Sequence, residues 1–406
     1  MGIEAFLNRL MGKGALEVSL PGGRRLVVGD GSLPAVSVRI ADRTTVARIV
    51  AKPSLGVGEA YMDGRLVLER GTIHDLIELF SRNALRWPNR SRPGPARRWW
   101  EKQLRERNER RTARRNVAHH YDLALDLYRR FLDADLQYSC ALFETPRATL
   151  EEAQAAKKRH LAAKLYLSPG QRVLDIGCGW GGLALTLAAE SGVEVDGVTL
   201  SSEQLKTATE RAAAAGLSSR ARFSLTDYRD VVGPYDRIVS VGMFEHVGRP
   251  QYLAFFDQVA RLLSDDGVAL IHTIGRSEGP STTDPFTAKY IFPGGYIPAL
   301  SEVMPAVERA GLRVTDIEIL RLHYAETLRC WRERFDAHRS RIAELYDERF
   351  CRMWEFYLSG AEMGFRYGSH VVFQIQLAKR TDALPITRDY IAERERAAAR
   401  GRRKVA

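Results

Sequence analysis

VLDIGCGWGG, residues 173–182, is the stretch that decides the fold. An apolar run ends in Asp175 and then in glycines at alternate positions, Gly177, Gly179 and Gly181, before the small apolar segment LALTLAAE. That order reads as strand, tight turn and helix. Glycines permit the sharp turn and let the backbone approach a ligand closely, and the helix start that follows favours polar or anionic groups. Working outward, EVDGVTL, ARFSLTD, YDRIVSVG, GVALIHTIG, RVTDIEIL and VVFQIQLAK have the apolar, β-branched character of further strands. Helical patterns separate most of them. The expectation is α/β: a seven-stranded, Rossmann-like parallel sheet covered by helices on both faces.

A glycine turn alone is a weak signal, and the surrounding residues sharpen it. Asp175 stands inside a D-x-G-x-G pattern that resembles S-adenosylmethionine (SAM) methyltransferases of class I more than dinucleotide dehydrogenases. A dehydrogenase would carry an acid at the end of the second strand to hold a ribose. Here Asp196 falls mid-strand, and Thr199, Ser201 and Gln204 occupy the strand end. LTDYRD closes the third strand and places Asp227 and Tyr228 for an adenine amino group and ring. Gly177, Gly179, Gly181, Thr199, Gln204, Asp227 and Tyr228 are therefore the candidate SAM residues.

The 406-residue chain has room for more than one domain. Residues 1–82 read as a small α+β domain for dimerisation or lipid docking, with a hairpin in LEVSLPGGRRLVVGDG and an amphipathic helix in TIHDLIELFSRN that sets Ile73, Leu76, Ile77 and Phe80 on one face. Residues 83–118 read as a basic linker and helix, 119–388 as the catalytic domain, and 389–406 as a helical, frayed basic tail. Residues 86–115 hold 12 Lys or Arg against three acids and include Trp87, Trp99 and Trp100. Arginine attracts anionic headgroups and tryptophan favours the membrane interface, so this segment is expected to dock transiently on a membrane surface. No apolar run spans a bilayer and the N-terminus is no signal peptide, so the expected location is cytoplasmic, peripheral at the inner face of the membrane. Cys140, Cys178, Cys330 and Cys351 form no C-x-x-C pair, and no metal site is expected.

Many motifs in order carry a closer resemblance. SLGVGEAYMDG, AHHYDLALDLY, QYSCALFE, VLDIGCGWGGLA, GVTLSSEQ, DYRD, FEHVG, LIHTIG, KYIFPGGYIP, HYAETLRCWRERF and RFCRMWEFYL resemble the cyclopropane-fatty-acyl-phospholipid synthases and the related mycolic acid cyclopropane synthases over nearly the whole chain. The resemblance implies addition of a methylene from SAM across a cis double bond of an unsaturated acyl chain in a membrane phospholipid. It also implies a bound bicarbonate ion as proton acceptor, caged by Cys140, Glu245, His272, Ile274 through its backbone, and Tyr324. Tyr138 and Ser139 match positions near SAM, and the N-terminal domain implies a homodimer. Glu245 is then an anchor for the ion, and His246 a structural neighbour. The sequence departs from some relatives in carrying Ala361 in FYLSGAEMGF where they have a cysteine, so no thiol there can be required.

A nucleic-acid methyltransferase fits the net charge of +11, but the chain has no N/D-P-P-Y/F/W motif and no Pro-Cys nucleophile pair. No nucleic-acid partner is expected. A methyltransferase making methyl-branched chains or furan fatty acid precursors keeps the same site and changes only the fate of the cation. A non-catalytic SAM- or lipid-binding protein would not need the full cage.

Overall fold

The computed structural model describes residues 2–84 and 125–403. The basic segment 86–115, with the docking role expected for it, and the last three residues lie outside them. The chain forms two compact units. The expected boundaries run along the chain, whereas compactness groups the N-terminal segment with residues 282–293 and 325–369.

In the smaller unit, strands β1 (Ala15–Ser19), β2 (Arg25–Gly29), β3 (Ala35–Ile40) and β4 (Leu66–Arg70) form a sheet in the order β2-β1-β3-β4. The β1–β2 pair is the expected antiparallel hairpin, while β1 and β3 run parallel. Alternation buries Leu16, Val18, Leu26, Val28, Val36 and Val38 on one face. The helix Ile73–Ala84 buries Ile73, Leu76, Leu79 and Asn83. Ile77 and Phe80, expected on the core face, are only half-buried, because the most buried stripe advances through i, i+3, i+6 rather than turning toward i+4. The helices Pro53–Met62 and Ile73–Ala84 both pack against the helix Glu348–Arg366, and Tyr61 donates to Glu355 at 2.7 Å.

The larger unit carries β5 (Arg172–Ile176), β6 (Glu194–Thr199), β7 (Ala221–Leu225), β8 (Tyr235–Val241), β9 (Leu263–Arg276), β10 (Arg313–Leu320) and β11 (His370–Ala378). All seven predicted strands are present, in the order β10-β11-β9-β8-β5-β6-β7. Six point the same way; β11, antiparallel to both β9 and β10, runs against them. Neighbouring residues feed opposite cores. Leu174, Ile238 and Ile271 pack with Phe244, Phe255 and Phe256, while Val173, Val239 and Leu270 pack with Leu183, Leu187 and Val195. Burial on both faces is why these strands read as apolar runs rather than alternations.

The tail is a correction to the expected frayed end. Residues 389–403 form a helix whose Tyr390 and Ile391 are buried. Tyr390 accepts from Gln376 (2.7 Å), and Arg394 lies 3.9 Å over the Tyr166 ring. His160 sits between Glu395 (2.6 Å) and Glu318 (2.8 Å). Burial disfavours its charged form, but the two carboxylates outweigh that and raise its pKa.

Candidate active site

The glycine turn after β5 forms the floor of a cleft in the larger unit. Its walls are the loop 136–139, the end of β6 with Thr199 and Gln204, the end of β7 with Asp227 and Tyr228, and the stretch after β8 with Met243 and His246. Gly177 has φ +83°, and a Cβ there would lie 2.9 Å from Met243. Gly179 has φ +53°, and a Cβ there would stand in open space. Both are geometries that favour glycine. Gly181 does not line the cleft; it precedes the helix Gly182–Ser191 at φ +81°.

Of the residues predicted for SAM, Tyr138, Ser139, Gly177, Gly179, Thr199, Gln204, Asp227 and Tyr228 all line this cleft. Tyr138 is fixed edge-on to Tyr128, which also packs against Trp180. Thr199 donates to Gln204 Oε1 at 2.7 Å, and Ser201 caps the following helix by accepting from the Gln204 N–H. Ser201→Ala should cost about 1 kcal/mol of stability by chemical denaturation, and it should weaken SAM binding through the loosened Gln204. Asp227 does not present a bare carboxylate to a ligand: both oxygens accept from Arg229, at 2.8 and 2.6 Å. Oδ1 also accepts the Arg229 backbone N–H at 3.1 Å.

Two cleft residues escaped the sequence reading. His246 lines the cleft and is more than the structural neighbour expected; burial lowers its pKa to about 4, so it is neutral. Asp175, at the end of β5, was noted only as part of the turn pattern. It is buried, and its Oδ2 has no hydrogen-bond partner among the described residues. Burial raises its pKa to about 7, with Lys157 as the opposing influence. An acceptor of this kind, beside the open space at Gly179, suits a ligand that carries an ammonium group.

The predicted cage residues lie outside the cleft lining. The short 3-10 turn Phe244–His246 presents His246 to the cleft and Glu245 to β9. Phe244 anchors this turn among Tyr252, Phe255 and Phe256. Glu245 Oε1 accepts the Ile274 N–H at 2.6 Å, and its Oε2 is buried without a partner among the described residues. Burial raises the Glu245 pKa to about 7, even though the Ile274 N–H lowers it. The Ile274 N–H is thus directed at Glu245, so its part in a cage runs through that carboxylate. His272, two residues earlier on the same face of β9, is buried and held neutral by burial. Gln374 Nε2 meets its Nδ1 at 3.2 Å. Donation from the amide to Nδ1 leaves the imidazole proton on Nε2, a donor for an anion. Cys140 is buried directly after the cleft wall, and its thiol donates to the Ala141 carbonyl (3.3 Å). Tyr324 stands at the start of the helix His323–Ala337. The structure joins Glu245 to Ile274 directly and sets His272 on the same strand.

A sequence model of the mycolic acid cyclopropane synthetase family matches residues 108–375. The chain belongs to that family. A domain of unknown function, DUF7884, matches residues 3–90. Among its relatives, the cyclopropane-fatty-acyl-phospholipid synthase of Escherichia coli is 38% identical over 360 residues, covering 86% of this chain and 89% of that protein. The tuberculostearic acid methyltransferase of Mycobacterium tuberculosis is 37% identical over 404 residues, covering 92% of this chain and 91% of that protein. The mycolic acid cyclopropane synthase CmaA1, solved with S-adenosylhomocysteine (SAH) and CTAB, is 37% identical with a TM-score of 0.62, covering 65% of this chain and 97% of that one. This cyclopropane synthase relative is accordingly a SAM-dependent methyltransferase of the class I fold, within the fatty acyl cyclopropane synthases and related fatty acid methyltransferases. The expected fold class and cosubstrate stand. No described helix is long and apolar enough to cross a membrane.

Proposed function

We propose that this protein transfers a methylene from SAM to a cis double bond of an unsaturated acyl chain in a membrane phospholipid, closing a cyclopropane ring, with a bicarbonate ion held by Glu245, His272, Cys140 and Tyr324, and Ile274 acting through Glu245. SAM supplies the electrophilic methyl group, and bicarbonate, when bound, accepts the proton that leaves it. The cleft residues hold the donor: Asp175 accepts from its ammonium, Thr199 and Gln204 face its sugar, and Asp227 with Tyr228 faces its adenine. An alkene is a weak nucleophile, so alignment with the methyl group and exclusion of water dominate the rate. Methyl transfer leaves a cation on the acyl chain, which water would trap. Cys140, Glu245 and His272 are each buried, which keeps water from that point.

The observation that carries this reading is Glu245, a buried carboxylate with one oxygen fixed by Ile274 and the other without a partner among the described residues, next in sequence to His246 of the cleft wall. An acceptor so placed suits an ion that carries its own hydroxyl. Docking at the inner face of the membrane falls to the basic segment 86–115.

The test is mass spectrometry of phospholipid acyl chains after incubation of purified protein with unsaturated vesicles and SAM, with and without added bicarbonate. The expected product has gained one methylene and lost its alkene to a ring, in a yield that bicarbonate raises. The relation to the tuberculostearic acid methyltransferase favours a second reading, methyl branching. The same mass gain with the alkene retained or shifted would establish it instead.

A further inference from the structure

Lys157 lies in the helix Leu150–Lys164 and is 0% exposed. Its ammonium donates to Gln137 Oε1 at 2.5 Å and to Ser139 Oγ at 2.9 Å. One turn earlier, Gln154 Nε2 donates to the carbonyls of the same two residues, at 3.2 and 2.9 Å. Gln137, Tyr138 and Ser139 are consecutive residues of the cleft wall. Two side chains of one helix therefore hold this wall from behind, Gln154 by its backbone and Lys157 by its side chains. Gln137 carries the hold further. Its Nε2 donates to Asp135 (3.0 Å) and packs so closely on Gly182 that a Cβ there would fall 2.4 Å away. Gly182 opens the helix that follows the glycine turn.

A buried ammonium costs a great deal to desolvate unless charge and hydrogen bonds compensate it. Clamping a loop could be done by a neutral amide, as Gln154 does. At Lys157 the acids of the wall loop and its approach, Asp133 first, supply that compensating charge. The ionisable groups facing it are Asp133, Asp135 and Cys140 from the wall loop and its approach, Lys158 on its own helix, Asp175 on β5 and His272 on β9. Of these, Asp175 is the one that lines the cleft, and its Oδ2 has no hydrogen-bond partner among the described residues.

We propose that Lys157 is a positioning residue of the SAM site, its ammonium clamping Gln137 and Ser139 into the cleft wall. The proposal rests on the cleft being the SAM site. It predicts that a variant keeping the side-chain volume but losing the charge binds the donor poorly. Burial lowers the Lys157 pKa to about 8, with Asp133 opposing, so the charge is present at pH 7 and fades above pH 8.

The experiment is calorimetric titration of SAH into the full-length wild type, Lys157→Met and Lys157→Arg, with circular dichroism to confirm folding. At pH 7, Lys157→Met should bind about tenfold more weakly or worse, with Lys157→Arg recovering most of the loss. In turnover, Lys157→Met should raise the KM for SAM far more than it lowers kcat. Equal affinity of Lys157→Met and wild type overturns the proposal, and so does Lys157→Arg binding as poorly as Lys157→Met, which would make shape rather than charge the requirement. If Lys157→Met does not fold, the pH profiles of the other two proteins decide. Wild-type affinity should fall more steeply than that of Lys157→Arg between pH 7 and 9, because arginine does not titrate there and the ligand's own ammonium affects both alike. Superimposed profiles overturn the proposal. A wild type that binds no SAH would instead overturn the assignment of the cleft, and this inference with it.

Discussion

Glu245→Gln is expected to slow turnover by about a hundredfold or more while leaving the folded chain more stable above pH 7. The two effects share one cause. Burial raises the Glu245 pKa from 4.5 to about 7. Below pH 4.5 the carboxyl is protonated whether the chain is folded or not. As the pH climbs from there through 7, the unfolded chain ionises freely and the folded chain must ionise a buried acid, so stability is lost over that window. The loss is about 3 kcal/mol. Glutamine does not titrate, and its carbonyl can still accept the Ile274 N–H. The variant should therefore match the wild type near pH 4 and exceed it by about 3 kcal/mol at pH 8, measured by urea denaturation. Its affinity for SAH should be unchanged, because Glu245 faces away from the donor cleft. An active Glu245→Gln would remove this carboxylate from the chemistry.

Gly177→Val should lower SAH affinity by about a hundredfold or more. A β-branched residue at φ +83° is strained before any neighbour is considered, and its Cβ would meet Met243 at 2.9 Å in the cleft wall. Some of that effect will be lost stability, and Gly179→Ala separates the two. At φ +53° alanine costs about 1–2 kcal/mol, and nothing lies within 4 Å of the new methyl. The melting temperature should move by only a few degrees, while the methyl takes up space that the ligand needs. Normal SAH binding by Gly179→Ala would show that the turn does not closely approach the donor.

The sheet was legible because its strands are buried on both faces, so Val173–Ile176 and Val268–Ile271 stand out as apolar runs. Strand direction was not. An apolar run looks the same whichever way it points, and β11 turned out antiparallel. The cleft was legible where its residues sit at strand ends, as Thr199 and Asp227 do. Position along the chain could not show that Arg229 engages Asp227, or that His246 lines the cleft. The helix Leu150–Lys164 was the most opaque element. LEEAQAAKKRHLAAK is rich in charge, yet Lys157, Lys158, His160 and Lys164 are all buried. Their partners, among them Gln137, Asp135 and Glu318, come from separate elements, and no periodicity encodes such pairings. Cys140 and Tyr324 were reached through family resemblance alone.

The smaller unit also sets an order of events during synthesis. The chain leaves that unit and returns to it twice. The helix Glu348–Arg366, on which Pro53–Met62 and Ile73–Ala84 pack, emerges from the ribosome long after them. The usual rule that the N-terminal domain folds first therefore cannot hold for this chain. Its first-made segment lacks the helix that Pro53–Met62 and Ile73–Ala84 pack on until nearly all of the larger unit has been translated.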